Sequence, residues 1–255
     1  MDTSEKYIAV FDSGVGGISV LRHLRRELPN ERFLYFGDGA NAPYGTRPTE
    51  QIRELTFQAA EMLMERGIKA LVIACNTATA AAAKELRQKY PNQIIIGIEP
   101  ALKLAADCYP DGTVGVMATP ATLREGKFAR LMERCADHCN VVKLPAPGLV
   151  ELVETGKANS PESEQLLRSI LSPYADKLDA VVLGCTHYPF AADTIRKILG
   201  EQCALLDGGF GTALQTKRRL QEADLLRTGN GEITIENSLS DPKTIDFSYS
   251  LLELD

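Results

Sequence analysis

Short runs that are apolar throughout punctuate the chain, separated by stretches whose apolar residues recur every three or four positions. Ile8-Ala9-Val10-Phe11, Phe33-Leu34-Tyr35-Phe36 and Ala70-Leu71-Val72-Ile73-Ala74 are runs of the first kind. A run that does not alternate with polar residues predicts a strand buried on both faces, as in a parallel sheet. The pattern through Leu21, Leu24 and Leu28 predicts a helix, as do the stretch from about Thr49 to Arg66 and the Ala-rich stretch from Thr77 to Lys89. Strand and helix therefore alternate, which predicts an α/β fold with right-handed crossovers. Gly37 to Pro48 is too rich in Gly and Pro for regular structure and is expected to be a loop.

The pattern then restarts. Ile94-Ile95-Ile96 reads as a strand, Pro100 to Cys108 as a helix, and Val114-Gly115-Val116-Met117 as a strand that ends at Thr119 and Thr122. A helix to about Cys139, a strand at Val141-Val142, helices near Leu149–Thr155 and Glu162–Tyr174, and the strand Ala180-Val181-Val182-Leu183 come next. The spacing from Asp12 to Cys75 nearly equals that from Thr119 to Cys185, so the two halves read as divergent copies. Ala204-Leu205-Leu206 is a short strand, Asp207-Gly208-Gly209 a turn, and a helix runs on to about Leu226. In the tail, Glu232 to Glu236 alternates like a strand and Ser238 to Lys243 reads as loop.

Composition narrows the function. With 255 residues, 44% hydrophobic and 24% charged, the chain can bury a sizeable core. A net charge of −6, aromatics at 6% and no Trp argue against nucleic acid; Arg22, Arg25 and Arg26, and Lys217, Arg218 and Arg219, read as solvated helix faces. No run approaches the ~20 apolar residues that span a bilayer, and Met1 to Lys6 is short and polar, so a cytoplasmic protein with no membrane partner is expected. The six cysteines show no disulfide spacing and are expected as free thiols. Cys135 and Cys139 flank Asp137-His138 without a second Cys/His pair, so no metal site is expected and both read as helical residues.

Two of the apolar runs end in a thiol: Ala70–Ala74 leads into Cys75-Asn76-Thr77, and Ala180–Gly184 into Cys185-Thr186-His187. Open α/β sheets bind ligands beyond the carboxyl ends of their strands. A single cysteine there is most simply a small core residue. Two in matching positions point to chemistry, because a strand-to-helix turn offers N–H groups and a positive helix end to a thiolate. Asp12 and His187 are proton partners within reach of the two thiols. Ser13, Asn76, Thr77, Thr119, Thr122 and Thr186 fall at the same strand ends and could hold carboxylates without Lys or Arg. Of Glu151 and Glu154, one is expected to point inward; His23 and His138 are expected at the surface. Asp12-Ser13-Gly14-Val15-Gly16-Gly17 lacks the glycine order of a dinucleotide loop, and no phosphate-loop motif occurs, so no nucleotide cofactor is expected.

Together, the Asp12–Gly17 loop, Pro43-Tyr44-Gly45, Cys75-Asn76-Thr77, Thr119/Thr122, Leu149–Glu154 and Cys185-Thr186-His187-Tyr188-Pro189 resemble the glutamate racemases, within the cofactor-independent two-cysteine amino-acid racemases. The resemblance implies two similar parallel-sheet α/β domains facing across a central active-site cleft. They would be residues 1–97 with 207–255, the C-terminal segment returning to the first domain, and residues 98–206. It implies racemisation of L- and D-glutamate for peptidoglycan, with Cys75 acting on the D enantiomer and Cys185 on the L. Asp12, His187 and Glu154 would assist, and Ser13, Pro43, Tyr44, Gly45, Asn76, Thr77, Thr119, Thr122 and Thr186 would hold the substrate. No cofactor, no metal and a homodimer are implied. Gly39 and Asn41 depart from the Ser or Thr and the Arg common in the family, and Asp207-Gly208-Gly209 replaces a commoner Asp-Ser-Gly. The alternatives are an aspartate or broader amino-acid racemase of the same group, a Cys–His acyl-transfer enzyme built on Cys185 and His187, and a non-catalytic amino-acid-binding domain.

Overall fold

The computed structural model describes residues 3–99, 101–124 and 126–254. The chain divides into two compact units, the first running to Glu99 and resuming at Gly209, the second ending at Gly208. Pro100, expected to open a helix, lies outside the described residues.

The first unit is laid down as β1 (Ile8–Asp12), α1 (Ile18–Glu27), β2 (Arg32–Gly37), α2 (Thr49–Glu65), β3 (Ala70–Ile73), α3 (Asn76–Lys89) and β4 (Ile94–Gly97). Every residue of β1, β3 and β4 is buried, which is why these strands are apolar without alternation. Ala9 and Phe11 of β1 join Ala60 and Leu63 of α2 and Ala78 and Leu86 of α3 in one core cluster. The strand's alternation sends Ile8 and Val10 to the other face.

The second unit holds α4 (Leu102–Cys108), β5 (Thr113–Ala118), α5 (Pro120–Arg124), α6 (Gly126–Cys135), β6 (Asn140–Pro145), α7 (Leu149–Glu154), α8 (Pro161–Leu171), β7 (Ala180–Leu183), α9 (Ala192–Leu199) and β8 (Ala204–Asp207). The chain then returns to the first unit with α10 (Gly209–Glu222), β9 (Glu232–Asn237) and α11 (Pro242–Leu252).

Both sheets are wholly parallel, in the orders β4-β3-β1-β2-β9 and β6-β5-β7-β8. Written from its other edge, the second sheet is β8-β7-β5-β6, the same winding as β4-β3-β1-β2. The registers match as well. Phe11 pairs with Ile73 and Met117 with Leu183, so two residues further on Ser13 comes level with Cys75 and Thr119 with Cys185.

Several expected elements differ. The Gly37–Pro48 loop contains two 3-10 turns, Gly39–Asn41 and Tyr44–Thr46, each a single turn that Gly and Pro permit. The helix expected to reach Cys139 ends at Cys135, and Cys139 sits in the turn beyond it with its Sγ donating to the Cys135 carbonyl at 3.5 Å. The α10 helix stops at Glu222, short of Leu226. The tail read as loop is helical from Pro242, with the Asp241 side chain accepting from the Lys243 N–H.

Candidate active site

Cys75 is the N-cap of α3. Its backbone is extended, and its Sγ accepts the Ala78 N–H at 3.4 Å, so the thiol itself closes the first turn. The sulfur thus sits where the helix concentrates partial positive charge. The Ser13 hydroxyl lies 3.6 Å from it, as the strand register requires. Asp12, fully buried at the end of β1, accepts the Gly14 N–H at 3.0 Å in a tight turn. The turn has no room at Gly17, where a Cβ would lie 2.5 Å from the Asp12 Cβ. Tyr35 donates its hydroxyl to the Gly14 carbonyl at 2.6 Å and holds the turn from below.

Asn76 and Thr77 form the buried first turn of α3, and the Asn76 side-chain oxygen has no hydrogen-bond partner among the described residues. That orphaned acceptor suits an ammonium group. Tyr44 and Gly45 are buried and Pro43 is half-buried. The Tyr44 phenol donates to Asp38 Oδ2 at 2.7 Å, and burial, then Asp38, Cys75 and Asp12, hold it well above its usual pKa, as a neutral donor. Asp38 belongs to no motif of the sequence. It is 6% exposed at the end of β2, and Asn41 Nδ2 lies 3.1 Å from each of its oxygens.

The two departures in this loop have physical reasons. A Cβ at Gly39 would meet Asn237 Oδ1 at 2.6 Å, so Ser or Thr there would require the Asn237 side chain to shift. Asn41 turns its amide onto Asp38 in place of a cation.

In the second unit Cys185 comes after β7, but the chain runs into a 3-10 turn, Tyr188–Ala191, before α9. An α-helix directly after Cys185 was expected and is absent. Its support is a side chain. Cys185 Sγ lies 3.7 Å from His187 Nδ1, and His187 Nε2 lies 2.6 Å from Glu154 Oε1. His187 is 3% exposed. Burial pushes its pKa down, but the hydrogen bonds and charges of Cys185 and Glu154 outweigh it and hold the imidazole well above its ordinary value. As an imidazolium it donates through one nitrogen to sulfur and through the other to carboxylate. Glu154 is delivered by α7, whose Leu149, Val150 and Val153 are buried, while Glu151 is exposed. Thr119 donates its hydroxyl to Thr122 Oγ1 at 3.0 Å and accepts the Thr122 N–H at 3.2 Å; Thr186 is buried beside Cys185.

The structure thus gathers Asp12, Ser13, Pro43, Tyr44, Gly45, Cys75, Asn76 and Thr77 at one sheet's carboxyl end, and Thr119, Thr122, Glu154, Cys185, Thr186 and His187 at the other's. The remaining buried cysteines have different surroundings: burial raises Cys135 and Cys139, and with Asp179 pushes Cys203 up to about 11. His138 is exposed, whereas His23 is half-buried with its ring edge-on to Phe210. Among the described residues no three His, Cys, Asp or Glu side chains converge as metal ligands, and no helix is long and apolar enough to cross a membrane.

Known proteins are similar to this chain in sequence and in fold. The chain is 47% identical to a glutamate racemase of Clostridium perfringens over 256 residues, covering 99% of this chain and 98% of that protein. It is 48% identical to the glutamate racemase of Clostridium acetobutylicum, with 100% of each covered. Among solved structures, the Escherichia coli glutamate racemase, crystallised with L-glutamate and the activator UDP-MurNAc-ala, superposes with a TM-score of 0.86 at 30% identity, covering 98% of this chain and 94% of that one. The Francisella tularensis enzyme, in complex with D-glutamate, gives 0.84 at 31%, covering 99% and 95%. With residues 15–210 matched by the family model for Asp/Glu/hydantoin racemases, the chain belongs to that family.

Proposed function

We propose that this protein interconverts L- and D-glutamate by a two-base mechanism in which Cys75 and Cys185 are the proton-transfer groups. The observation that carries the reading is the matched register: each sheet ends its second-ranked strand in a thiol, level with a hydroxyl residue of the neighbouring strand. Racemisation needs one group to take the α-proton and another to return a proton to the opposite face, and paired thiols meet that need. Cys75 takes the α-proton from D-glutamate and Cys185 takes it from L-glutamate, each thiol protonating the opposite face of the carbanion that the other generates.

The α-proton of an amino acid is weakly acidic, so donors must be aimed where charge develops. The unpartnered Asn76 oxygen takes the substrate ammonium, the first turn of α3 and Ser13 take a carboxylate, and the Thr119/Thr122 pair and Thr186 offer further hydroxyl donors. Asp12 supports Cys75, and Glu154 supports Cys185 through His187. Supply of D-glutamate for peptidoglycan, in the cytoplasm and by a homodimer, accords with the family pattern.

The test is proton NMR of L-glutamate, and separately L-aspartate, incubated with the protein in D2O while optical rotation is followed. Loss of the α-proton signal and of rotation for glutamate is the expected result. Exchange with aspartate alone would move the activity to the sister reaction, and no exchange with either would overturn racemisation. The Cys185–His187–Glu154 line is also the geometry of an acyl-transfer nucleophile and its base. That reading requires Cys75→Ser to remain active, whereas the two-base reading requires it to fail.

A further inference from the structure

We infer that Asp38 is a positioning residue of the Cys75 half-site, acting through Tyr44 and Asn41 on the loop that carries Pro43, Tyr44 and Gly45. The inference rests on the racemase reading and assigns a role to a residue outside it. Asp38 is a buried carboxylate one residue beyond β2, and its N–H donates to the Asp12 carbonyl at 2.9 Å. Its backbone is thereby tied to the turn that presents Ser13. Its side chain reaches the other way, accepting the Tyr44 hydroxyl at 2.7 Å and the Asn41 amide at 3.1 Å. Arg47 Nε donates to the Asn41 carbonyl at 2.8 Å and closes the far end of the same loop.

Desolvating a carboxylate against neutral donors is costly, and an apolar residue would fill a strand end equally well. The carboxylate adds two directional bonds to a loop with no regular structure between its two 3-10 turns. The loop's start is pinned independently. Ser238, in the turn after β9, accepts the Ala40 N–H at 2.9 Å and donates its own N–H to the Gly37 carbonyl at 2.9 Å. The Asn237 oxygen fills the space above Gly39. With residues 37–40 held by the C-terminal segment, Asp38 fixes the remainder of the loop through Asn41 and Tyr44. Tyr44 is the lever: its ring is 1% exposed and packs 6.3 Å from that of Phe11, and its phenol feels the charge of Cys75 and Asp12.

The test is kcat and KM for glutamate in both directions for the wild type, Asp38→Ala, Asp38→Asn, Tyr44→Phe, Asn41→Ala and the Asp38→Ala/Tyr44→Phe double variant, with thermal melts alongside. Asp38→Ala is expected to raise KM at least about tenfold while changing kcat far less, the scale of a lost hydrogen bond to a charged group. The double variant is expected to be no worse than Asp38→Ala alone, because Asp38→Ala has already removed the acceptor of the Tyr44 hydroxyl. A merely structural residue would lower the melting temperature without this KM-against-kcat split and without the coupling. Should Asp38→Ala fail to fold, Tyr44→Phe and Asn41→Ala leave the carboxylate in place and must each raise KM; unchanged KM in both overturns the inference. An active wild type whose KM is indifferent to Asp38→Ala, or additive losses in the double variant, overturns it alone. A wild type that leaves the glutamate α-proton in place overturns the racemase reading together with it.

Discussion

Cys75 and Cys185 hold equivalent places in their sheets and yet depend on different partners. The first caps a 14-residue helix beside a serine hydroxyl; the second leans on an imidazole backed by a carboxylate. The difference makes the second arm sensitive to pH. Because the folded-state pKa of His187 is raised above its unfolded value of about 6.5, its contribution to stability is complete below that value and is lost as pH rises through the folded one. The melting-temperature gap between wild type and His187→Asn is therefore expected to be constant in mild acid and to narrow above neutrality. Glu154→Gln removes one of the raising interactions, so the narrowing should begin at lower pH; a gap that widens with pH would contradict the imidazolium assignment. Most of this site was legible because its chemistry is local: a cysteine and its histidine stand two residues apart, and a strand end marks each thiol. Glu154 was readable only as one of two acids, since the choice depends on which face of α7 packs inward. Asp38 was passed over, because an acid before a glycine at a strand end is also the mark of an ordinary turn.

At the scale of elements, chemistry and capping share one atom. Cys75 Sγ takes the Ala78 N–H, so removing it has a structural cost separable from the catalytic one. Cys75→Ala is expected to lose about 1 kcal/mol in urea unfolding, the usual worth of an N-cap, whereas Cys75→Ser keeps an acceptor and should keep the stability. Both should lose racemisation. Equal stability of the two variants would show that the sulfur does not act as a cap. The strands were legible because burial on both faces removes polar positions from them, and α2 and α3 because their periodicity is long. The α11 helix was not, since Thr, Ile, Asp, Phe, Ser and Tyr carry little intrinsic helix preference. Its Asp241-Pro242 start was the available signal; its helicity draws on burial of Ser248, Leu251 and Leu252.

The repeated winding is the organising fact of both units, and the nearly equal spacing of polar strand ends makes it legible in the sequence. Long-range closure was not legible, because it depends on residues far apart in the chain. Lys69, on the connection into β3, pairs with Glu31 at 2.5 Å and donates to the Ser4 and Leu225 carbonyls at 2.6 and 2.9 Å, while Glu31 accepts the Arg227 N–H at 3.0 Å. Both side chains are buried, so this one pair joins the start of the chain, two connections of the first sheet and the returning C-terminal segment. Lys69→Met should destabilise the first unit by about 3–5 kcal/mol in urea unfolding, since Glu31 is left buried and unpaired, and adding Glu31→Leu should restore much of the loss. A double variant as unstable as Lys69→Met would refute that account. In the proposed mechanism two thiols act on opposite faces of one carbon, and the deuterium content of each enantiomer early in the reaction tests this most directly. With L-glutamate in D2O, a two-base mechanism predicts D-glutamate that carries deuterium from its first appearance while the remaining L-glutamate keeps its proton. D-glutamate that retains the original proton, or deuterium entering L-glutamate ahead of the D product, would mean that a single base works both faces.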